Sequence, residues 1–322
     1  MRRIGVLTSG GDAPGMNACI RAVVRSAVLH ELDVVGIGHG YRGLMTGNFI
    51  TLGARSVAEI IHRGGTFLGT ARCEEMKTRE GRQVAIKFMK NTGITDLVVI
   101  GGEGTFKGAV ALAKEGRIRV IGIPATIDND VYGTDYSIGF DTAVNTALQA
   151  MDKIRDTAQS LERLFFVEVM GRTRGFIALD LGVAGGATEC LVPEEETDID
   201  ALCQTLEHSF TIGKKYALVV VAEGDTPGGA MTIADQVGKK LKLDYRVAVL
   251  GHIQRGGAPT ARDRILAGKL GVAAVEGLLN GKEGHMVGEI KGAIIYTPLE
   301  ETWERQKELD YGLLRLAKTL AE

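Results

Sequence analysis

Cysteine is scarce in this 322-residue chain: Cys19, Cys73, Cys190 and Cys203 are all it has, with no CxxC pair and no metal-ligand spacing. That excludes a disulfide framework and a cysteine-held metal, and predicts reduced thiols in a cytoplasmic protein. Prolines number only six and no Gly/Ser tract occurs, so neither a flexible linker nor a disordered segment is legible. A formal net charge of −2 offers no basic excess for a nucleic acid partner. No apolar run approaches the roughly 20 residues of a membrane span. The start, Met1-Arg2-Arg3-Ile4, runs straight into a strand pattern instead of a signal-peptide core. Neither feature predicts a membrane partner.

The chain is long enough for two domains. Its 45% hydrophobic and 24% charged content is that of a globular protein with a large core. Glycine is in excess: 44 residues, roughly twice the average share of about 7%. Glycines cluster as Gly10-Gly11, Gly64-Gly65, Gly101-Gly102-Gly104, Gly185-Gly186 and Gly256-Gly257. Short Val/Ile-rich runs cover Ile4–Leu7, Val34–Ile37, Leu97–Ile100, Val120–Ile123, Phe165–Val169, Leu218–Ala222 and Val247–Leu250. They read as strands buried on both faces. Helix-like stretches lie between them, at 16–30, 82–92, 105–115, 141–160, 199–211, 230–242 and 261–280. The alternation predicts an α/β protein with mostly parallel sheets flanked by helices, and ligands at the carboxyl ends of the strands. With no linker composition, the best single cut is near residue 139, before the longest helix.

Three kinds of feature stand at those strand ends. Thr8-Ser9-Gly10-Gly11-Asp12-Ala13-Pro14-Gly15-Met16-Asn17 and Gly101-Gly102-Glu103-Gly104-Thr105 are glycine turns that open helices. A helix N-terminus with free N–H groups favours an anion. The first turn is neither a Walker A loop nor a dinucleotide fingerprint. A carboxylate within a phosphate turn implies an intervening cation, so Glu103 suggests Mg²⁺. A bare tight turn is the alternative for either loop. Next, Thr126, Asp128 and Asp130 alternate with Ile127 and Asn129. In an extended segment, side chains two apart share a face. Two carboxylates and a hydroxyl there suit metal binding and proton abstraction from an alcohol, the alternative being a hydrophilic turn. Finally, Arg72, Arg163, Arg172, Arg246, His252 and Arg255, with Glu223, describe a pocket for a phosphorylated ligand that carries hydroxyls. For each arginine singly, an exposed ion pair is the alternative.

The first turn, Thr126-Ile127-Asp128-Asn129-Asp130, Met170-Gly171-Arg172 and Gly251-His252-Ile253-Gln254-Arg255-Gly256-Gly257 occur in this order over nearly the whole chain. Together they resemble the bacterial 6-phosphofructokinases; the GGEGT loop alone also resembles the GGDGT of NAD and lipid kinases. The resemblance implies transfer of the terminal phosphoryl of ATP to the 1-hydroxyl of fructose 6-phosphate, a step of glycolysis. It implies Asp128 as base, Glu103 and Asp130 as Mg²⁺ ligands, and Thr126, Arg172 and the Gly11 amide around the migrating phosphoryl group. The nucleotide would meet Gly11, Tyr41, Arg72, Cys73, Gly102, Glu103, Gly104 and Thr105, with Arg72 bridging both substrates. The sugar phosphate would meet Thr126, Ile127, Asp128, Met170, Gly171, Arg172, Glu223, His252, Ile253, Gln254 and Arg255. Arg163 and Arg246 would serve a neighbouring subunit's site in a homotetramer. Two nucleotide-binding-like domains are implied: 1–139 plus about 252–304 for ATP, and 140–251 plus about 305–322 for fructose 6-phosphate.

The family's pyrophosphate users carry Asp at the position of Gly104 and Lys at that of Ala125; both are small and uncharged here, which implies ATP. Pyrophosphate as donor, an NAD or lipid kinase and a silent nucleotide sensor are the alternatives. Departures from the family pattern are Glu103 for Asp, Thr105 for Ser, Ala125 for Gly, Leu161 for His, and Phe176 where an Asp follows Gly175. A regulatory phosphate site of the family matches Arg21, Arg25, Arg155, Lys214 and Lys215. Its Mg²⁺-carrying Glu is Thr188 here, with Glu189 one residue on. Its His is Tyr216, and Ala54 stands where an Arg is usual, with Arg55 beside it.

Overall fold

A computed structural model describes residues 2–225 and 228–321. It opens with β1 (Arg3–Thr8), α1 (Met16–Leu29), β2 (Asp33–Ile37), α2 (Tyr41–Thr46) and β3 (Phe49–Leu52). Then come α3 (Arg79–Thr92), β4 (Asp96–Gly101), α4 (Glu103–Gly116), β5 (Arg119–Pro124) and α5 (Phe140–Leu161). The chain continues through β6 (Leu164–Val169), α6 (Phe176–Ala184), β7 (Glu189–Leu191), α7 (Ile199–Thr211), β8 (Ala217–Ala222), α8 (Gly229–Leu241) and β9 (Tyr245–Val249). It ends with α9 (Ala261–Leu279), β10 (His285–Ile290), β11 (Ala293–Pro298), α10 (Glu301–Glu304) and α11 (Tyr311–Ala321). No helix among the described residues is long and apolar enough to cross a membrane.

Two compact units form. One holds residues 1–126, 130–142 and 255–307; the other holds 127–129, 143–254 and 308–322. In the first, a seven-stranded sheet runs β11-β10-β5-β4-β1-β2-β3. Its inner strands are parallel, and β3 and β11 close the edges antiparallel. Its core packs Leu7, Ile37, Leu97, Phe106 and Met286, all fully buried. In the second unit four parallel strands run β7-β8-β6-β9, over a core that includes Phe166, Leu206, Val219 and Val237. The α/β class with mostly parallel sheets is as expected.

Four strands escape the apolar-run reading, each for a physical reason. β3 is an edge strand with Ile50 exposed, and β7 has only three residues. β10 and β11 form a hairpin whose two-residue turn, Lys291-Gly292, has φ 49° and 81°. Those are the mirror-image turn angles that suit the strand twist. The helix α6 is apolar all round and largely buried, so it has no amphipathic period to read.

Candidate active site

In the first unit, β1 leads into Ser9-Gly10-Gly11. The turn is fixed by Ser9 N donating to Ile100 O (3.0 Å) and by Thr70 Oγ1 donating to Gly10 O (2.7 Å). Two residues of this motif are spent on the fold. Thr8 Oγ1 bonds Thr66 Oγ1 at 2.9 Å and donates to Gly69 O at 3.0 Å. Asn17 is buried; its Nδ2 donates to Arg63 O and Gly64 O, and its Oδ1 accepts from Phe67 N at 2.8 Å. Together they anchor the segment that leads to Arg72, which is exposed, and to Cys73, which is partly exposed. Burial pushes the Cys73 thiol up, aided by its contact with Glu75.

The second turn sits against the first. A Cβ on Gly101 would lie 2.4 Å from Ser9 O and from Thr105 Oγ1, so only glycine fits. Thr105 is buried and donates from Oγ1 to Ser9 O at 3.0 Å, while the Tyr41 hydroxyl donates to Thr105 O. Tyr41 is 4% exposed and lies in the core, where burial raises its phenol. Thr105 and Tyr41 thus stand behind the turn, within the fold. Glu103 opens α4, half-exposed and paired with Lys107 one turn on. A Cβ on Gly102 would come no closer than 3.9 Å to Thr126, and one on Gly104 would meet nothing within 4 Å. One glycine spacing passed over in the sequence, Gly38-His39-Gly40-Tyr41-Arg42-Gly43, has dinucleotide-loop form after β2. It closes on itself instead: a Cβ on Gly43 would fall 1.8 Å from Gly38 O, and α2 is only six residues long.

The 126–130 strip corrects the expectation of an extended segment. Residues 127 and 128 form a turn and Asn129 is left-handed at φ 53°, so the alternation of an extended strand does not describe this segment. Ile127, Asp128 and Asn129 are buried, Thr126 and Asp130 partly so. Thr126, whose carbonyl accepts from Ser137 Oγ at 2.6 Å, and Asp130 belong to the first unit; Asp128 belongs to the second. Ala125 is buried and bridges Ile138.

In the second unit, Asp128 is 2% exposed and its Oδ2 lies 3.3 Å from Arg172 Nε, the arginine itself being 60% exposed. Arg172 follows β6 in a left-handed conformation, φ 55°, after Gly171 at φ 148°. Glu223, just past β8, accepts on Oε1 from Arg172 N at 2.7 Å. Gln254 is fully buried, and its Oε1 accepts from Met170 N at 2.9 Å; its Nε2 has no hydrogen-bond partner among the described residues. His252 and Ile253 are exposed on the 3-10 turn after β9. Arg163 and Arg246 share Asp244, at 3.7 and 2.8 Å; the two guanidinium groups hold its carboxyl below the usual range, Arg246 most strongly. Arg255 belongs to the first unit. It donates to Asp12 O at 3.2 Å, and its Nη1 would touch a Cβ on Gly11.

Sequence reasoning missed Asp263. It is buried and accepts from Gly139 N (2.9 Å), Thr142 N (2.8 Å) and Thr142 Oγ1 (2.5 Å), pinning the start of α5. The signal was available: Thr260-Ala261-Arg262-Asp263 has capping-box spacing, and Thr260 Oγ1 caps α9 by accepting from Asp263 N. Among the described residues no three of His, Cys, Asp and Glu gather as a metal cage. Mg²⁺ needs none: it takes one or two carboxylates, substrate phosphates and water. The half-exposed Glu103 and the partly exposed Asp130 fit that donor set.

The family pattern described as Phosphofructokinase matches residues 3–278. The chain is similar to an ATP-dependent 6-phosphofructokinase 1 of Thermus thermophilus, 58% identical over 321 residues and 100% of both chains. An ATP-dependent 6-phosphofructokinase of Shouchella clausii is 50% identical, again over 100% of both. Among solved structures, phosphofructokinase from Saccharomyces cerevisiae matches with a TM-score of 0.89 and 34% identity; all of this chain spans 48% of that one. A pyrophosphate-dependent phosphofructokinase from Marinobacter aquaeolei matches at TM-score 0.87 over 100% of this chain and 91% of the other. At 23% identity that last likeness is one of fold.

Proposed function

The chain belongs to the phosphofructokinase family, and on that premise we propose that it moves the terminal phosphoryl of ATP to the 1-hydroxyl of fructose 6-phosphate, giving fructose 1,6-bisphosphate in glycolysis. The observation that carries the reading is Asp128: a buried carboxylate beside the guanidinium of an exposed arginine, Arg172. A carboxylate withdrawn from water beside a phosphate-binding cation can take a proton from an alcohol where the phosphoryl group arrives. Asp128 accepts the 1-hydroxyl proton. The freed oxygen bonds to the γ-phosphorus as the bond to the β–γ bridging oxygen breaks, and ADP leaves with that electron pair. Arg172, the Gly11 amide and the Thr126 hydroxyl take up the charge on the moving group.

Nucleotide phosphates rest on the two glycine turns, with Arg72 reaching both substrates. Tyr41 and Thr105 back the second turn, and Cys73 meets the nucleotide. Glu103 and Asp130 hold Mg²⁺, which when bound offsets the charge of the phosphate oxygens. Fructose 6-phosphate is held by Met170, Gly171, Arg172, Glu223 and the loop from His252 to Arg255. Oε2 of Glu223, which makes no hydrogen bond among the described residues, is left to accept from a sugar hydroxyl. Arg163 and Arg246 serve a second copy of the chain in a homotetramer. The place of Arg246 supports this: it is exposed on β9, an edge strand that pairs with β6 on one side, and Val249 on the same strand is 59% exposed. A cytoplasmic setting rests on four free cysteines, three of them buried.

A coupled assay with fructose 6-phosphate and Mg²⁺ tests this. ATP should support turnover; faster turnover with saturating pyrophosphate than with saturating ATP would overturn the donor, and none with either would overturn the reaction.

A further inference from the structure

Arg172 faces Asp128 from a backbone conformation that side-chain-bearing residues rarely adopt. Something must keep it there. At the near end of its loop, Glu223 Oε1 accepts from Arg172 N at 2.7 Å and from Gly171 N at 3.4 Å. The backbone beneath is closed: a Cβ on Gly224 would fall 1.8 Å from Arg172 O. At the far end stands Glu194, in the segment between β7 and α7. Both its carboxylate oxygens lie 3.1 Å from Gly175 N, and Oε1 lies 3.3 Å from Arg174 Nε. Its side chain is 8% exposed, and a Cβ on Gly175 would lie 2.8 Å from Glu194 Oε2 and 2.5 Å from Val192 Cβ. Between the two carboxylates, Arg174 N donates to Gly171 O at 3.0 Å and tightens the turn.

A carboxylate taken out of water needs strong donors in return. Those that Glu194 has in the structure come from residues 174 and 175, two and three positions beyond Arg172. We propose that Glu194 is a positioning residue for phosphoryl transfer: it clamps the far end of the 171–175 loop so that the Arg172 guanidinium stays on Asp128. The inference rests on the reading of Arg172 and Asp128 given above. Glu194 itself touches no reacting atom. The competing role is purely architectural, a carboxylate that favours the N-terminus of α6, which Gly175 caps.

A double-mutant cycle separates the two. Glu194→Ala, Arg172→Ala and the double variant are compared for kcat at saturating substrates, KM for ATP and thermal midpoint. Misplacing a positioned group by about 1 Å can cost roughly 100-fold in rate. Glu194→Ala is therefore expected to lower kcat by about 10- to 100-fold, leave KM for ATP unchanged, and cost nothing further once Arg172 is already Ala. Glu194→Gln keeps an oxygen for Gly175 N and should recover part of the loss. It also carries the same cycle if the Ala variant fails to fold. Equal losses from the Glu194 change with and without Arg172, or no loss at all, would overturn the inference and leave Glu194 a helix cap. If Arg172→Ala itself keeps wild-type kcat, the role given to Arg172 fails, and this inference fails with it.

Discussion

The two units put different materials at the carboxyl ends of their strands. In the first, β1 and β4 end in glycine turns whose exposed groups are mostly backbone, and a buried carboxylate, Asp96, paired with the partly exposed Arg2 and Arg119, sits at the opposite, amino end of β4. In the second, β6, β8 and β9 are followed by side chains: Arg172, Glu223 and His252. Two of them are already engaged, Arg172 with Asp128 and Glu223 with the Arg172 backbone. The lesson concerns sensitivity. A site built of backbone is harmed by atoms added; a site built of paired charges is harmed by charges removed.

The largest effect should therefore come from removing a charge in the second unit. Asp128→Asn keeps the size of the side chain and removes the base. A positioned base contributes about 10²–10⁴-fold, and kcat should fall by that much with little change in ATP binding, measured by steady-state kinetics and nucleotide titration. A variant that keeps more than a tenth of the kcat would show that the buried carboxylate is not the base.

In the first unit the corresponding test adds atoms. Space for a Cβ on Gly104 is open, so the fold does not demand glycine there. Gly104→Ala should keep the thermal midpoint and most activity. Gly104→Asp should keep the midpoint too, yet lose kcat/KM for ATP by on the order of 10²-fold. A carboxylate about 4 Å from a phosphate oxygen is repelled by about 4 kcal/mol at an effective dielectric of 20, part of which relaxation relieves. If Gly104→Asp proves silent, the nucleotide phosphates do not lie on this turn.

Why the parallel strands were legible, and the site geometry less so, follows from the same contrast. Strands buried on both faces must be apolar throughout, so β1, β4, β5 and β8 announce themselves as unbroken runs. The helices α1, α4 and α5 show their period because one side faces solvent. Residues at strand ends follow from those boundaries. What packs against them does not: Arg172 meets a carboxylate 44 positions earlier, and no local spacing encodes it. The 126–130 strip misled because Asn129 takes a left-handed conformation, which asparagine tolerates and a pattern of alternating letters cannot reveal. The two units interleave without a linker composition because the chain passes between them inside α5 and inside the 3-10 turn of residues 251–255.

The first unit also has a side-chain clasp at the start of α5, and it offers a smaller effect. Asp263 accepts three hydrogen bonds from residues 139–142. Asp263→Asn would leave a donor facing donors, at a cost of about 1–3 kcal/mol, readable from urea midpoints. Burial raises the Asp263 carboxyl above its ordinary value, more than those hydrogen bonds lower it. The native state then holds this proton where the unfolded chain has lost it, so the contribution is full at low pH and falls as pH rises through the raised value. The stability gap between wild type and Asp263→Asn should narrow as pH rises from the ordinary aspartate range towards neutrality. A gap that widens instead would mean that the three hydrogen bonds outweigh desolvation.

The smallest effect is expected where the second unit lacks a charge. A cavity of about 220 Å³ is lined by Arg155, Thr188, Lys214, Lys215 and Tyr216. These are among the residues that the family resemblance aligns with a regulatory phosphate site; Arg21 and Arg25, also aligned with it, do not line this cavity. Thr188 stands where the resemblance has a carboxylate to carry Mg²⁺, and its hydroxyl accepts from Leu218 N at 3.2 Å. Glu189 does not replace it. It opens β7 and lines an adjoining, much smaller hollow with Leu314 and Lys318, where burial raises its carboxyl. One step along a strand turns a side chain to the other face. The cations are partly engaged as well: Lys214 donates to Ala321 O, Lys215 pairs with Glu162, and Arg155 donates to Gly185 O. A phosphate alone needs only such cations, whereas Mg²⁺-linked ADP needs an oxygen ligand too. Titrating fructose 6-phosphate at fixed ATP, with and without Mg·ADP, should therefore shift half-saturation by less than tenfold, under about 1.4 kcal/mol of coupling. Inhibition by a small phosphorylated acid such as phosphoenolpyruvate should persist, and should weaken in Arg155→Ala. A shift of tenfold or more with Mg·ADP would mean that Glu189 or another oxygen ligand turns into this cavity when the nucleotide binds.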